Sequence, residues 1–319
     1  MGDEKVTRRG FLKATLVAGA TVAGGWWFRD RHPVPARAAA GAVQSFGIPG
    51  AAGRMCIVRG TDPAKAIRRA IEEIGGIKTF VQKGDKVLIK VNCAFARPAW
   101  VGATTSPEAA AELVRLCREA GASAVRVTDF PINDARTCFL KSGLGSSVTQ
   151  AGGDIFWPTP ASFRPVRVSD GVIGTWEVFY EPLAWCDKLI GLPTAKSHNL
   201  CGASLAMKSW YGFIGGSRNR FHQDIHTVVA ELGAFIKPTL VVLDGTRLLV
   251  RNGPTGGGGD DVTPGNTIVA STDVVAVDAF GVELLGLDKT AVRYIALAET
   301  KGLGKSDYRK LPGFKEVSI

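Results

Sequence analysis

The chain has 319 residues, with 39 Lys and Arg against 29 Asp and Glu, for a formal net charge of +10. Residues 1–40 hold seven of the basic and three of the acidic side chains, which is +4 of that charge. What remains is long enough to bury a real core and lacks the basic runs of a nucleic-acid tail, so nucleic acid is excluded and an anionic small molecule is the expected partner.

In chain order, the N-terminus comes first. Residues 7–13 read TRRGFLK, followed by the apolar, small-residue stretch ATLVAGATVAGGWWF at 14–28 and by ARAAAG, with cleavage sites after Ala38 or Ala40. As a helix, fifteen residues span about 22 Å, short of a roughly 30 Å hydrocarbon core. The pattern resembles a bacterial twin-arginine export signal. That resemblance implies a signal peptide at 1–40, a folded part at 41–319, and the twin-arginine translocase as a partner during export. It also implies a periplasmic or other extracytoplasmic location, with a membrane tether if the signal stays uncleaved. Cargo of that route is exported folded, often with a cofactor already bound.

Residues 55–59 (MCIVR) predict a strand, followed by a helix capped by Asp62 with Pro63 at its first position and Ala66, Ile67, Ala70, Ile71 and Ile74 on one stripe. KVLIKVN (86–92) predicts a second strand. Ser106 then caps a helix begun by Pro107 and ended by Gly121, and residues 125–127 return as a strand. A Pro- and Gly-rich middle follows. CDKLIGLP, TLVVLDG and NTIVAST give three more strands, the last feeding the helix DVVAVDAFGVELLG. Alternating strands and helices predict an α/β fold, a mostly parallel sheet flanked by helices, with a division into two lobes near 150–190 as one option.

In such sheets ligands sit beyond the carboxyl ends of strands. This directs attention to Lys90, Asn92, Asp129, the 194–199 segment read as a loop, Asp244 and Thr272/Asp273. One segment stands out: AKSHNLCGASLAMKSWYGFIGGSRNRFHQDIH (195–226) holds three of the four histidines. Together with KVLIKVN, TTSPEAAAELVRLCREAGASAVRVTD, TLVVLDG…NGP and IVASTDVVAVDAFGVELLGLD, this block resembles the DUF362 family over most of residues 55–288. The resemblance is sharpest at Lys196, His198 and Lys208.

Two functional readings follow from the residues. Lys90, Lys196, Lys208, Arg218 and Arg220 can converge on a carboxylate or phosphate in a cleft assisted by Asn92, His222, His226 and Asp244, with His198 moving a proton and Lys196 or Lys208 as an alternative nucleophile. Alternatively, His222 and His226, four apart if 223–235 is helical, bind a metal with Cys201 or His198. The cofactor stays unknown, a metal or an organic group, but no C-x-x-C pair exists among the six cysteines and hence no iron–sulfur motif. An oxidoreductase or isomerase fits the first reading; a non-catalytic metal- or metabolite-binding protein, or a subunit of a redox complex, fits the second. Among softer signals, the glycine run at 253–261 reads as a flexible loop or a lid. Trp210 and Tyr211 are core or stack on a ligand, and Asp278, on an apolar helix, needs a partner if buried.

Overall fold

A computed structural model describes residues 41–319. Residues 1–40, which resemble an export signal, lie outside the described residues. The chain order is β1 (Arg54–Arg59), α1 (Pro63–Glu73), β2 (Lys86–Val91), α2 (Pro107–Glu119), β3 (Ala124–Thr128), α3 (Ala135–Lys141), α4 (Leu144–Gln150) and β4 (Asp154–Ile155). A hairpin of β5 (Phe163–Arg167) and β6 (Thr175–Phe179) follows, then α5 (Tyr180–Trp185), β7 (Lys188–Leu192), β8 (Thr194–His198), β9 (Gly202–Ser204) and α6 (Ala206–Ser209). The rest is α7 (Ile225–Phe235), β10 (Leu240–Leu249), β11 (Val262–Ser271), α8 (Val274–Leu284), α9 (Tyr294–Thr300) and β12 (Gly313–Ser318).

The main sheet has ten strands in the order β12-β1-β11-β10-β7-β2-β3-β4, with β8 paired to β10 and β9 to β8. β4, β3, β2, β7 and β10 run parallel to one another, and β11 is antiparallel to both neighbours. The α/β reading with a mostly parallel sheet is what the structure has. The sheet continues unbroken across the Pro- and Gly-rich middle, which enters as the separate β5–β6 hairpin.

Both faces of the central strands are covered, so those strands are apolar without strict alternation. Val87, Ile89 and Val91 of β2 pack with the stripe Ala66, Ile67, Ala70 and Ile71 of α1 and with Leu113 and Val114 of α2. Leu88, between them in sequence, joins the opposite core with Val228, Val229, Val275 and Phe280. The helix starts follow the capping rules. Asp62 accepts from the amides of Ala64 and Lys65, Ser106 from Ala109, and Asp273 from Ala276. All six cysteines are buried free thiols.

Three local expectations change. Residues 194–198 form β8 rather than a loop, because β10 extends beyond β7 and offers Asp244 and Leu249 as partners for Thr194 and Lys196. β11 runs antiparallel, so Thr272 and Asp273 end at the opposite edge from the other strand ends, where Thr272 bonds the Ala51 carbonyl. The helix begins at Ile225, with Arg218–Asp224 in 3-10 turns, so His222 and His226 do not share an α-helical face.

Candidate functional site

A cavity of about 150 Å³ opens at the carboxyl ends of β2 and β3. β2 ends in Lys90 and Asn92, the turn after β3 brings Asp129, and the β8–β9 hairpin brings Lys196, His198 and Ser204. The short helix α6 and the 3-10 turns after it add Lys208, Ser209, Tyr211, Arg218 and His222, while Phe95, Phe130, Ile132 and Pro254 form apolar wall. Residues more than a hundred positions apart thus share one wall, as the strand-end rule predicts.

The three lysines are buried but differently held. Lys90 Nζ lies 3.0 Å from Asp129 Oδ1 and also donates to the Val91 carbonyl and Ser209 Oγ. Burial pushes its pKa down, and Asp129 works against that. Asp129 is itself fixed by the amides of Cys93 (2.7 Å) and Phe130 (2.9 Å). Lys196 Nζ donates to Asn92 Oδ1 (2.9 Å) and the Ala103 carbonyl (2.6 Å), and burial lowers its pKa to about 7. Lys208 Nζ sits 3.8 Å from the centroid of the Tyr211 ring, and burial lowers its pKa to about 8. The Tyr211 hydroxyl is buried without a hydrogen-bond partner among the described residues.

Two imidazoles lie nearly parallel on the same wall, the rings of His198 and His222 being 6.2 Å apart. Their hydrogen bonds assign opposite tautomers. The Leu200 amide donates to His198 Nδ1, so the proton of the neutral ring is on Nε2. His222 Nδ1 faces the Asn219 carbonyl, which can only accept, so Nδ1 carries the proton and Nε2 is free to accept one. Burial and the neighbouring lysines lower the pKa of His198 to about 3; burial, then Lys208, lowers that of His222. One ring is therefore a neutral donor and the other a neutral acceptor.

The remaining sequence candidates lie elsewhere or are otherwise engaged. Arg218 lines the cavity but spends its guanidinium on the carbonyls of Tyr211, Ile214, Phe130 and Pro131, clamping two loops. Arg220 lies over Trp176 beside a separate shallow groove. Asp244 accepts from the amides of Ser106 and Thr246 and from the Thr246 hydroxyl, anchoring the entry to α2. The proposed metal set is not assembled. His226 stacks on Tyr294, and the buried Cys201 thiol donates to the Ala203 carbonyl, with burial raising its pKa to about 11. Among the described residues no group of three His, Cys, Asp or Glu side chains is placed to hold a metal ion.

Two supporting residues were missed as site residues, and one of them had a weak sequence signal. Asp278 of α8 is fully buried and takes the amides of Ala206 and Met207 on its two carboxylate oxygens, so it seats the first turn of the helix that carries Lys208. Its place on an apolar helix was the clue. Burial raises its pKa to about 8, with the two amides opposing. Gly212 had no clue. A Cβ there would come within 2.1 Å of Asp129 Oδ1 and 2.8 Å of Lys90 Nζ, so only glycine lets the backbone pass over that ion pair.

Comparison with known proteins bears on this same region. The chain is 26% identical over 257 residues to a protein of Synechocystis sp. described as thylakoid-associated, covering 75% of this chain and 74% of that one. Residues 87–283 match the family described as "Domain of unknown function (DUF362)", a span that takes in every residue lining the cavity. The chain belongs to the DUF362 family.

Proposed function

We propose that the cavity binds a small organic anion and moves a proton on it. One observation carries this reading: Lys196 and Lys208 are buried side by side with Lys90 and Arg218, and Asp129, the one carboxylate on the wall, is already committed to Lys90. Buried cations without counter-charge are costly, which is why both ammonium groups have lowered pKa values. A bound carboxylate or phosphate supplies the missing charge. A cavity of this volume holds a molecule about the size of benzene, roughly six heavy atoms. Lys196 and Lys208 grip the anion, His198 Nε2–H and the Tyr211 hydroxyl donate to a developing oxyanion, and His222 Nε2 accepts the proton. This arrangement suits an isomerase or the proton-transfer half of an oxidoreductase. It fits a non-catalytic metal carrier less well, because three lysines and an arginine line the cavity against a single carboxylate.

The test is thermal unfolding with propionate, phosphate and the neutral isostere propionamide at constant ionic strength. Ligands that bind only the folded state raise the melting temperature. Propionate is expected to stabilise the protein at pH 6 and progressively less as the pH passes about 7 and then about 8, where Lys196 and Lys208 lose their protons. An equal effect of propionamide, or a propionate effect that grows with pH, rejects the reading.

Export belongs to the same proposal, supported by residues 7–40 and by a relative described as thylakoid-associated. Among the described residues no helix is long and apolar enough to cross a membrane. Replacing Arg8 and Arg9 with Lys is expected to leave the protein in the cytoplasmic fraction of a host with a twin-arginine translocase; unchanged fractionation rejects export by that route.

A further inference from the structure

We propose that Lys208 is an imine-forming amine and that the cavity's ligand is a small 2-oxo acid, an inference that rests on the anion-binding reading above and names its substrate class. The three lysines differ in what their nitrogens do. Lys90 is bound to Asp129, Ser209 and a carbonyl, and Lys196 to Asn92 and a carbonyl. Lys208 Nζ makes no hydrogen bond or ion pair among the described residues, and its close neighbour is the face of Tyr211. A nucleophilic amine needs a free lone pair, and this nitrogen has no carbonyl or carboxylate holding it as an ammonium. Burial, with the charges of Arg218 and Lys90, brings its pKa to about 8, so a large fraction is neutral in mildly alkaline water.

The surroundings divide the labour. Lys196 is the cation placed for the carboxylate of the acid. His198 Nε2–H and the unpartnered Tyr211 hydroxyl are donors for the carbonyl oxygen. Asp278 fixes the turn that presents Lys208. In the reaction the Nζ lone pair attacks the carbonyl carbon, the C–N bond forms, and the C=O π pair goes to oxygen, which takes a proton to give a carbinolamine. The C–O bond then breaks with protonation of the leaving hydroxyl, the nitrogen has given up both of its protons, one for each protonation of the oxygen, and one water leaves for each imine formed. No oxidant or reductant enters. A 2-oxo acid of three carbons has six heavy atoms, matching the roughly benzene-sized space.

The experiment treats the full purified chain with pyruvate and sodium cyanoborohydride, which reduces an imine to a stable secondary amine, and reads intact mass and peptide maps. The expected result is one adduct per chain on the peptide holding Lys208, forming fastest between about pH 7 and 8, where Lys196 is still partly protonated and Lys208 partly neutral, and suppressed there by excess propionate, which has the carboxylate but no carbonyl. Lys208→Arg, which keeps the cation, is expected to abolish the adduct. Propionate protection is measured on the unmodified chain, so it stands whether or not that variant folds. An adduct on Lys196, an adduct spread over surface lysines, or no adduct overturns the imine. If propionate still stabilises the fold in that case, the anion site survives without the imine; if it does not, both fail.

Discussion

Replacing Asp129 with Asn is expected to lower the unfolding free energy by about 3–5 kcal/mol, the cost of stranding one member of a buried ion pair. The carboxylate has three partners, Lys90 Nζ at 3.0 Å and the amides of Cys93 and Phe130 at 2.7 and 2.9 Å. An amide has one acceptor oxygen, so at least one donor would face an NH2 group. Lys90 would sit among the other cavity cations with its counter-charge gone, and burial already presses it towards the neutral form. Urea denaturation of the variant checks this. A double replacement, Lys90→Met with Asp129→Leu, is expected to recover most of the loss, since removing both partners of a buried pair is far less damaging than removing one. If the single variant loses under about 1 kcal/mol, the pair is not the anchor of the cavity floor that its geometry implies.

Lys196→Met is expected to separate binding from folding. A hydrogen bond to a charged group contributes about 1.5–3 kcal/mol, so anion affinity should fall roughly tenfold to a hundredfold. Stability should change little near pH 6, within about 2 kcal/mol. Losing two hydrogen bonds, to Asn92 and Ala103, is offset by no longer burying a cation. The pH profile supplies a signed check. The folded-state pKa of Lys196 lies near 7, against 10.5 when unperturbed, so between those values the unfolded chain binds more protons and stability rises with pH. The variant should lose that rise while its affinity for propionate becomes flat through pH 7. Isothermal titration calorimetry and denaturation across pH 6–9 measure both. Undiminished affinity would remove Lys196 from the anion site.

Much of the fold could be read from local chemistry. Caps at Asp62 and Ser106, prolines at first helical positions and the strand at residues 86–91 are short-range features, and each appears in the structure where it was expected. The 195–226 block was also visible as a concentration of basic side chains and imidazole, and of these Lys196, His198, Lys208, Arg218 and His222 do line one cavity.

What local pattern could not decide was direction and reach. That β11 runs antiparallel, sending Thr272 and Asp273 away from the cavity, depends on which strand it pairs with. That residues 194–198 extend as a strand depends on the overhang of β10, and that His222 faces His198 while His226 meets Tyr294 depends on a 3-10 turn packed from outside. The lysines' character was likewise tertiary. A lysine's charge is written in its residue type, but whether that charge is matched, as by Asp129 for Lys90, or left without a carboxylate, as for Lys208, is set by residues tens of positions away. Local sequence determines helices, strands and their apolar faces because those depend on neighbours along the chain. Proton affinity and site membership depend on neighbours in space, through burial and Coulomb terms that only the folded chain defines.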